Sequence, residues 1–151
     1  MVDAQVVRPL RHAVLRPGQP QERCIYPGDD DPRSAHAAVA LKQFGITPDA
    51  TEMVAVGSVM PFPAPWDPER LDSWRIRGMA TRHDARGRGL GGLVLDALLD
   101  HVASHGGGLL WCNARVPAQG LYGRAGFATR GQVFEIPEIG LHIQMFRTLT
   151  Y

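Results

Sequence analysis

The stretch from Trp74 to Gly92 restricts what this chain can fold into more than any other. An apolar-rich segment, Trp74-Arg-Ile-Arg-Gly-Met-Ala-Thr81, has the character of a strand, and the polar turn Arg82-His-Asp-Ala85 follows it. Then comes Arg86-Gly-Arg-Gly-Leu-Gly-Gly92, from which a helix departs at once. Gly87, Gly89, Gly91 and Gly92 remove side chains where the backbone must turn sharply and come close to a neighbour. Amides left free at a helix start form an anion site, and the helix dipole adds to it. Arg86 and Arg88 bring forked donors suited to phosphate. Physically the stretch is a pyrophosphate cradle between a strand and a helix, with an ordinary glycine-rich turn as the alternative for the loop alone. A P-loop is excluded because no Lys follows the glycines. A dinucleotide fingerprint can be forced onto Gly87, Gly89 and Gly92. It lacks a clear βαβ unit with an acidic residue about 20 positions on, since Asp100 falls inside the following helix.

The rest of the chain supplies the surroundings of that loop. With 151 residues there is enough chain for one domain with a real core, expected to span 1–151. A net charge of +1 and the absence of an aromatic-basic platform argue against a nucleic-acid partner. Cys24 and Cys112 are far apart and have no metal-ligand spacing, so they read as reduced thiols without a structural metal. No apolar run approaches a membrane span and no signal-peptide core opens the chain, so the expected location is the cytoplasm.

Residues 3–15 form a short helix with Val6, Leu10 and Val14 on one face, and Pro9 fits best in its first turn, which moves the start towards Val7. The acidic run Asp29-Asp30-Asp31 reads as a solvated loop rather than a metal site. His36–Phe44 and Glu52–Pro61 read as an antiparallel pair joined through Gly45–Ala50. Pro61–Pro68 carries four prolines and is a loop. Its Trp66 either lines a substrate entrance or packs the loop down. In the strand Ser73–Thr81, alternation puts Arg75, Arg77, Met79 and Thr81 on one face and Trp74, Ile76, Gly78 and Ala80 on the other. Two arginines on one face must bind carboxylates of the protein or meet an anionic substrate. From Leu90 an amphipathic helix buries Leu90, Leu93, Val94, Ala97, Leu98 and Val102, and Gly106-Gly107-Gly108 ends it. Leu109–Arg115 is a central strand parallel to the one before the helix, through a right-handed crossover. Pro117 and Gly126 frame a helix of two turns. Val133–Ile136 is a strand, and in the last one Leu141, Ile143 and Met145 alternate with His142, Gln144 and Phe146.

Arg86, Gly89 and Gly91 fill the pattern Arg/Gln-x-x-Gly-x-Gly/Ala without adjustment, and this resembles the acyl-CoA loop of the GNAT N-acyltransferases. Asn113, Ala118, Leu121, Tyr122, Gly126 and Phe127 resemble the second signature of that family, Asn-(x)n-Ala-x-x-Phe/Leu-Tyr-x-x-x-Gly-Phe. The two motifs stand in the family's order, and the likeness covers roughly residues 36–149. The tail from Phe134 to Met145 is similar to that of a small bacterial subgroup of uncharacterised members. Met1–Val7 departs from the pattern, because it leaves little room for a first strand.

The resemblance implies an α/β fold with a mixed central sheet, helices on both faces, and splayed parallel strands before and after the main helix. It implies transfer of an acyl group, usually acetyl, from acetyl-CoA to an amine of a small molecule or peptide. The pantetheine arm would run in the strand gap beside Met79, Ala80 and Thr81. The pyrophosphate would rest on Arg86, Gly87, Arg88, Gly89, Leu90, Gly91 and Gly92. Asn113 would orient the arm or the acceptor, and Tyr122 would protonate the CoA sulfur as general acid. A backbone N–H, that of Met79, would polarise the thioester. No carboxylate lies in Ser73–Thr81 to act as base. Glu52, Glu135, His36 and His142 remain, with His142 favoured for its titration range. Arg75, Arg77 and Arg115 lean towards an acceptor carrying a carboxylate or phosphate. A non-catalytic acyl-CoA sensor of the same fold is the alternative, and a homodimer is left open.

Overall fold

The computed structural model describes residues 1–40 and 52–150. Six strands form one mixed sheet: β1 (Ala35–Ala40), β2 (Met53–Pro61), β3 (Ser73–Thr81), β4 (Gly108–Arg115), β5 (Ala128–Ile136) and β6 (Gly140–Leu149). Their spatial order is β1-β2-β3-β4-β6-β5. All neighbours are antiparallel except β3 and β4, which the crossover helix α2 (Leu90–Ser104) joins in parallel. The expected end of the first strand at Phe44 and the Gly45–Ala50 connection lie outside the described residues. Ahead of β1, Val2 makes an isolated bridge to His36.

Helix α1 (Ala4–Leu15) begins at Ala4 and carries Pro9 inside it, so the expected start near Val7 is corrected. The proline ring removes the N–H that the Gln5 carbonyl would have received. Gln5 and Pro9 are both exposed, so water can serve that carbonyl, while Val7 and Leu10 are buried against β2 and β3. On the opposite face α2 buries Val94, Leu95, Leu98, Leu99 and Val102. Burial of each such side chain is worth about 1.5–3 kcal/mol. The buried stripe is rotated from the expected one, for Leu93 is 58 % exposed while Leu95 and Leu99 point inward.

Strand β3 does not alternate throughout. Its register against β2 passes from Arg77↔Ser58 to Ala80↔Val56, leaving Gly78 and Met79 opposite the single residue Gly57. Gly78 takes φ +70°, so the break is a bulge with a left-handed glycine. The bulge reverses the faces beyond it. Arg75 and Arg77 lie on the α1 side, Met79 turns to the α2 side, where a Cβ on Gly57 would collide with it, and Ala80 packs under α1. The bulge is also a close approach, because a Cβ on Gly78 would stand 2.8 Å from Arg11 Nε and 3.2 Å from the Tyr26 ring.

Strand β5 starts at Ala128 rather than Val133. It is an exposed edge strand broken by a register shift between Arg130 and Phe134, so no buried alternation marks its first half. Leu141, near the start of β6, is 55 % exposed, while Ile143 and Met145 are buried.

In the acidic run Asp30 is exposed as expected, but Asp29 is not. Asp29 is 4 % exposed and receives Arg11 in a forked pair, Nη1 to Oδ2 at 2.8 Å and Nη2 to Oδ1 at 3.2 Å. Arg11 Nη2 also donates to Ser58 Oγ at 2.9 Å, and His36 Nδ1 lies 2.6 Å from that hydroxyl. His36 Nε2 sits 3.0 Å from the Asp29 carbonyl, which can only accept, so Nε2 carries the proton and the Ser58 hydroxyl donates to Nδ1. Arg11 Nε alone is left without an acceptor among the described residues, and the Tyr26 amide, donating to Asp29 Oδ2 at 3.0 Å, ties the segment that carries Tyr26 to the network.

Candidate active site

Strands β3 and β4 pair only at Ser73↔Leu109, Trp74↔Leu110 and Arg75↔Trp111. Beyond that they part, and two clefts occupy the wedge. The larger, about 650 Å³, runs from Met79, Ala80 and Thr81 past Arg86, Gly87, Gly89, Leu90, Gly91 and Gly92. Leu121 and Arg124 of α3 (Gln119–Arg124) close its far side. The smaller, about 130 Å³, lies deeper in the wedge, where Arg75, Arg77, Met79, Asn113, Arg115, Tyr122 and His142 meet.

The glycine loop meets the physical requirements of a phosphate site. Gly87 and Gly89 have φ +77° and +75°, and a Cβ at either would touch nothing, so the backbone borders open space. Gly89 is the N-cap of α2 and no side chain caps the helix. Among the described residues, the amides from Gly87 to Gly92 have no backbone or side-chain acceptor, whereas that of Leu93 already bonds to Gly89 O. A pyrophosphate fits this row of donors and the positive helix end. Arg86 folds back to place Nε 3.3 Å from Thr81 O, which ties the loop to the end of β3. Arg88 is exposed and outside the cleft lining.

Tyr122 is 4 % exposed. Its spacing to Phe127 has a structural cause: α3 closes on Gly126 at φ +87°, the Phe127 amide returns to Tyr122 O, and the two rings meet edge to face at 5.6 Å. Burial holds the phenol well above its ordinary pKa, and the adjacent Cys112 raises it further. Burial likewise pushes the Cys112 thiol up to about 12. His142 Nδ1 lies 2.7 Å from the Gly140 carbonyl, so Nδ1 donates and Nε2 is the unprotonated nitrogen. Burial lowers its pKa, the bond to Gly140 opposes that, and the charges of Arg115 and Arg16 add smaller contributions to the lowering.

The other candidate bases are elsewhere. His36 is committed to the Arg11 network, Glu135 is exposed, and Glu52 lines neither cleft. Trp66 lines neither of these two clefts. Its ring meets Trp111 at 6.0 Å and Phe146 at 6.1 Å under the Arg130 guanidinium, so it packs the proline loop onto the sheet. Of the two courses expected of them, Arg75 and Arg77 do not take the first, a carboxylate of the protein. They pair with no carboxylate among the described residues and stack on aromatic rings instead, Arg77 on Tyr26 at 3.8 Å and Arg75 on Trp111 at 4.9 Å. Tyr26, an isolated aromatic between turns, gave no signal of this in the sequence.

A mixed sheet parted beside a glycine loop is the arrangement that the resemblance to the acyl-CoA-dependent GNAT transferases implied. Residues 17–127 match the acetyltransferase (GNAT) family. The chain is 34% identical over 140 residues to the uncharacterized N-acetyltransferase YitI of Bacillus subtilis (strain 168), covering 93% of this chain and 88% of that one. The ribosomal-protein-S18-alanine N-acetyltransferase of Escherichia coli superposes with TM-score 0.68 at 17% identity, covering 98% and 88% of the two chains. An aminoglycoside 6'-N-acetyltransferase complexed with coenzyme A superposes at 0.67 and 14%, covering 96% and 89%. The chain belongs to the GNAT family and is an acetyl-CoA-dependent N-acetyltransferase acting on an amine. Among the described residues no helix is long and apolar enough to cross a membrane, and no cluster of metal-ligating side chains occurs.

Proposed function

We propose that the chain moves acetyl from acetyl-CoA to the amine of a small molecule or peptide by direct attack, with Tyr122 as general acid and His142 as general base. The observation that carries this reading is that Tyr122, Asn113 and His142 line one small cavity at the point where β3 and β4 diverge. His142 alone of the candidate bases reaches that cavity. Its depressed pKa keeps Nε2 free to take a proton at neutral pH. The raised pKa of Tyr122 keeps its hydroxyl protonated, so it can donate to sulfur as negative charge develops there. The Met79 amide lies in the bulge, outside the regular ladder, and would polarise the thioester oxygen.

In the transfer the amine nitrogen bonds the acyl carbon and the carbon–sulfur bond breaks. The amine proton passes to His142, Tyr122 supplies the thiol proton, and exchange with solvent restores both side chains. The products are the amide and free CoA thiol. A thiol held near 12 has no thiolate to offer, which supports direct attack over an acyl-enzyme on Cys112. Tyr122→Phe tests the assignment. Turnover measured by thiol release should fall about 10²–10⁴-fold. The thermal shift with acetyl-CoA should persist, at roughly 5–10 °C for ligand at about 100 times its Kd. Undiminished turnover would remove Tyr122 from the mechanism, and no shift in the wild-type protein would remove the cofactor assignment.

A further inference from the structure

The small cavity is walled by cations. Arg16 at the end of α1, Arg75 and Arg77 of β3, and Arg115 at the end of β4 all line it, and no Asp or Glu among the described residues does. Among the described residues none of the four forms an ion pair, although Arg8, Arg11, Arg33, Arg70 and Arg82 each find a carboxylate elsewhere. What holds three of them in place is neutral. Arg77 stacks on Tyr26, Arg75 on Trp111 and on Phe62 at 5.7 Å, and Arg115 Nη2 donates to Leu15 O at 2.8 Å. Among the described residues Arg16 Nε and Arg75 Nε are buried donors without an acceptor, as Arg8 Nε and Arg11 Nε are away from this wall. Asn113 Oδ1, on the same wall, is a buried acceptor without a donor.

Half-buried guanidinium groups repel one another, and an uncompensated charge out of water is costly. Burial first and Arg75 second bring Arg77 down to about 10, the mark of a site that resists its own charge. The fold keeps this cluster without neutralising it, which is the electrostatic outline of an anion.

We propose that the acceptor carries an anionic group, a carboxylate or phosphate, close to its reactive amine, and that Arg77 and Arg115 bind that group beside Tyr122. Arg16 and Arg75 complete the positive wall. Asn113 Oδ1 takes an N–H of the amine. This rests on the acetyl-transfer reading and narrows its substrate. The cavity of about 130 Å³ admits a small acceptor or the tip of a larger one, since roughly 150 Å³ holds a benzene. The same field disfavours an ammonium, so it helps present the amine neutral and turns away polyamines.

The test compares matched amines by thiol release: glycine with glycinamide, β-alanine with its amide, and phosphoethanolamine with ethanolamine. The anionic member should win by roughly 10- to 100-fold in kcat/KM, the scale of a charge-assisted hydrogen bond. The pair with the larger ratio tells carboxylate from phosphate. Arg77→Gln should erase the preference through acceptor KM, Arg77→Lys should restore part of it, and Arg16→Gln should weaken it without threatening the fold. Binding of inorganic phosphate and of succinate to CoA-saturated protein, followed by calorimetry, covers acceptors outside the panel. Equal or better turnover of the neutral amines or polyamines would overturn the proposal, as would absence of anion binding to folded, CoA-saturated protein. If Arg77→Gln raised KM for acetyl-CoA and not for the acceptor, the cluster would serve the cofactor instead. Loss of the acetyl-CoA thermal shift would strike the underlying transferase reading. An intact shift without anion recognition would strike this inference alone.

Discussion

Asp29 is held by forces that oppose each other. Burial pushes its carboxyl up, but the hydrogen bonds and charge of Arg11, with the Tyr26 amide, hold it below its ordinary 3.8. The unfolded chain therefore binds more protons in the acid range. The contribution of the pair is complete above that ordinary value and is lost as pH falls through the folded one. Asp29→Asn leaves Arg11 buried without its counter-charge, and urea unfolding at neutral pH should show a loss of about 3–5 kcal/mol. The acid limb of the stability curve should flatten in that variant. The His142 shift runs in the same direction, but there it favours the neutral form rather than the charged one. Its lowered pKa keeps the imidazole neutral above the ordinary 6.5, so kcat/KM should fall only as pH drops below that value. A pH–rate profile of His142→Gln should be lower throughout and lack that limb. Neither environment was legible from sequence, since three adjacent aspartates look alike until Arg11, 18 positions away, selects the first.

The loop between β3 and α2 separates binding from stability. Gly89 has a left-handed φ and an open Cβ position, so Gly89→Val adds strain of about 1–2 kcal/mol without a core clash. Its branched side chain would project over the donor row. Acetyl-CoA affinity by calorimetry should fall by more than about tenfold, with the unfolding midpoint only modestly lowered. Elements with strong local signals were read correctly: β3 within its observed limits, the start of α2 at Leu90, and β4 to within one residue. The failures have local causes as well. A bulge at Gly78 breaks period-two alternation, and an exposed edge strand such as β5 has no inward face to leave a pattern. Pro9 misled because a solvent-facing helix can leave one carbonyl to water.

At the scale of the whole molecule, the two clefts and the Arg wall exist because elements far apart in sequence converge. The cavity draws on Tyr26, β3, β4, α3 and β6, and only the loop and the Asn113–Phe127 segment announced themselves in order along the chain. Between Arg75 and Thr81 the side of β3 facing β4 has no strand beside it, although β2 continues on the other side. Amides bordering this gap should exchange with deuterium faster than those of the β4–β6 ladder. Acetyl-CoA should slow them selectively, as hydrogen-exchange mass spectrometry of Arg77–Thr81 and Asn113–Arg115 would register. Three residue pairs hold the two half-sheets together, β1-β2-β3 on one side and β4-β6-β5 on the other. A pantetheine arm bound in this gap would have a mechanical part as well as a chemical one: it would stand in for the missing rungs, and the sheet would stiffen and slacken once in every catalytic cycle.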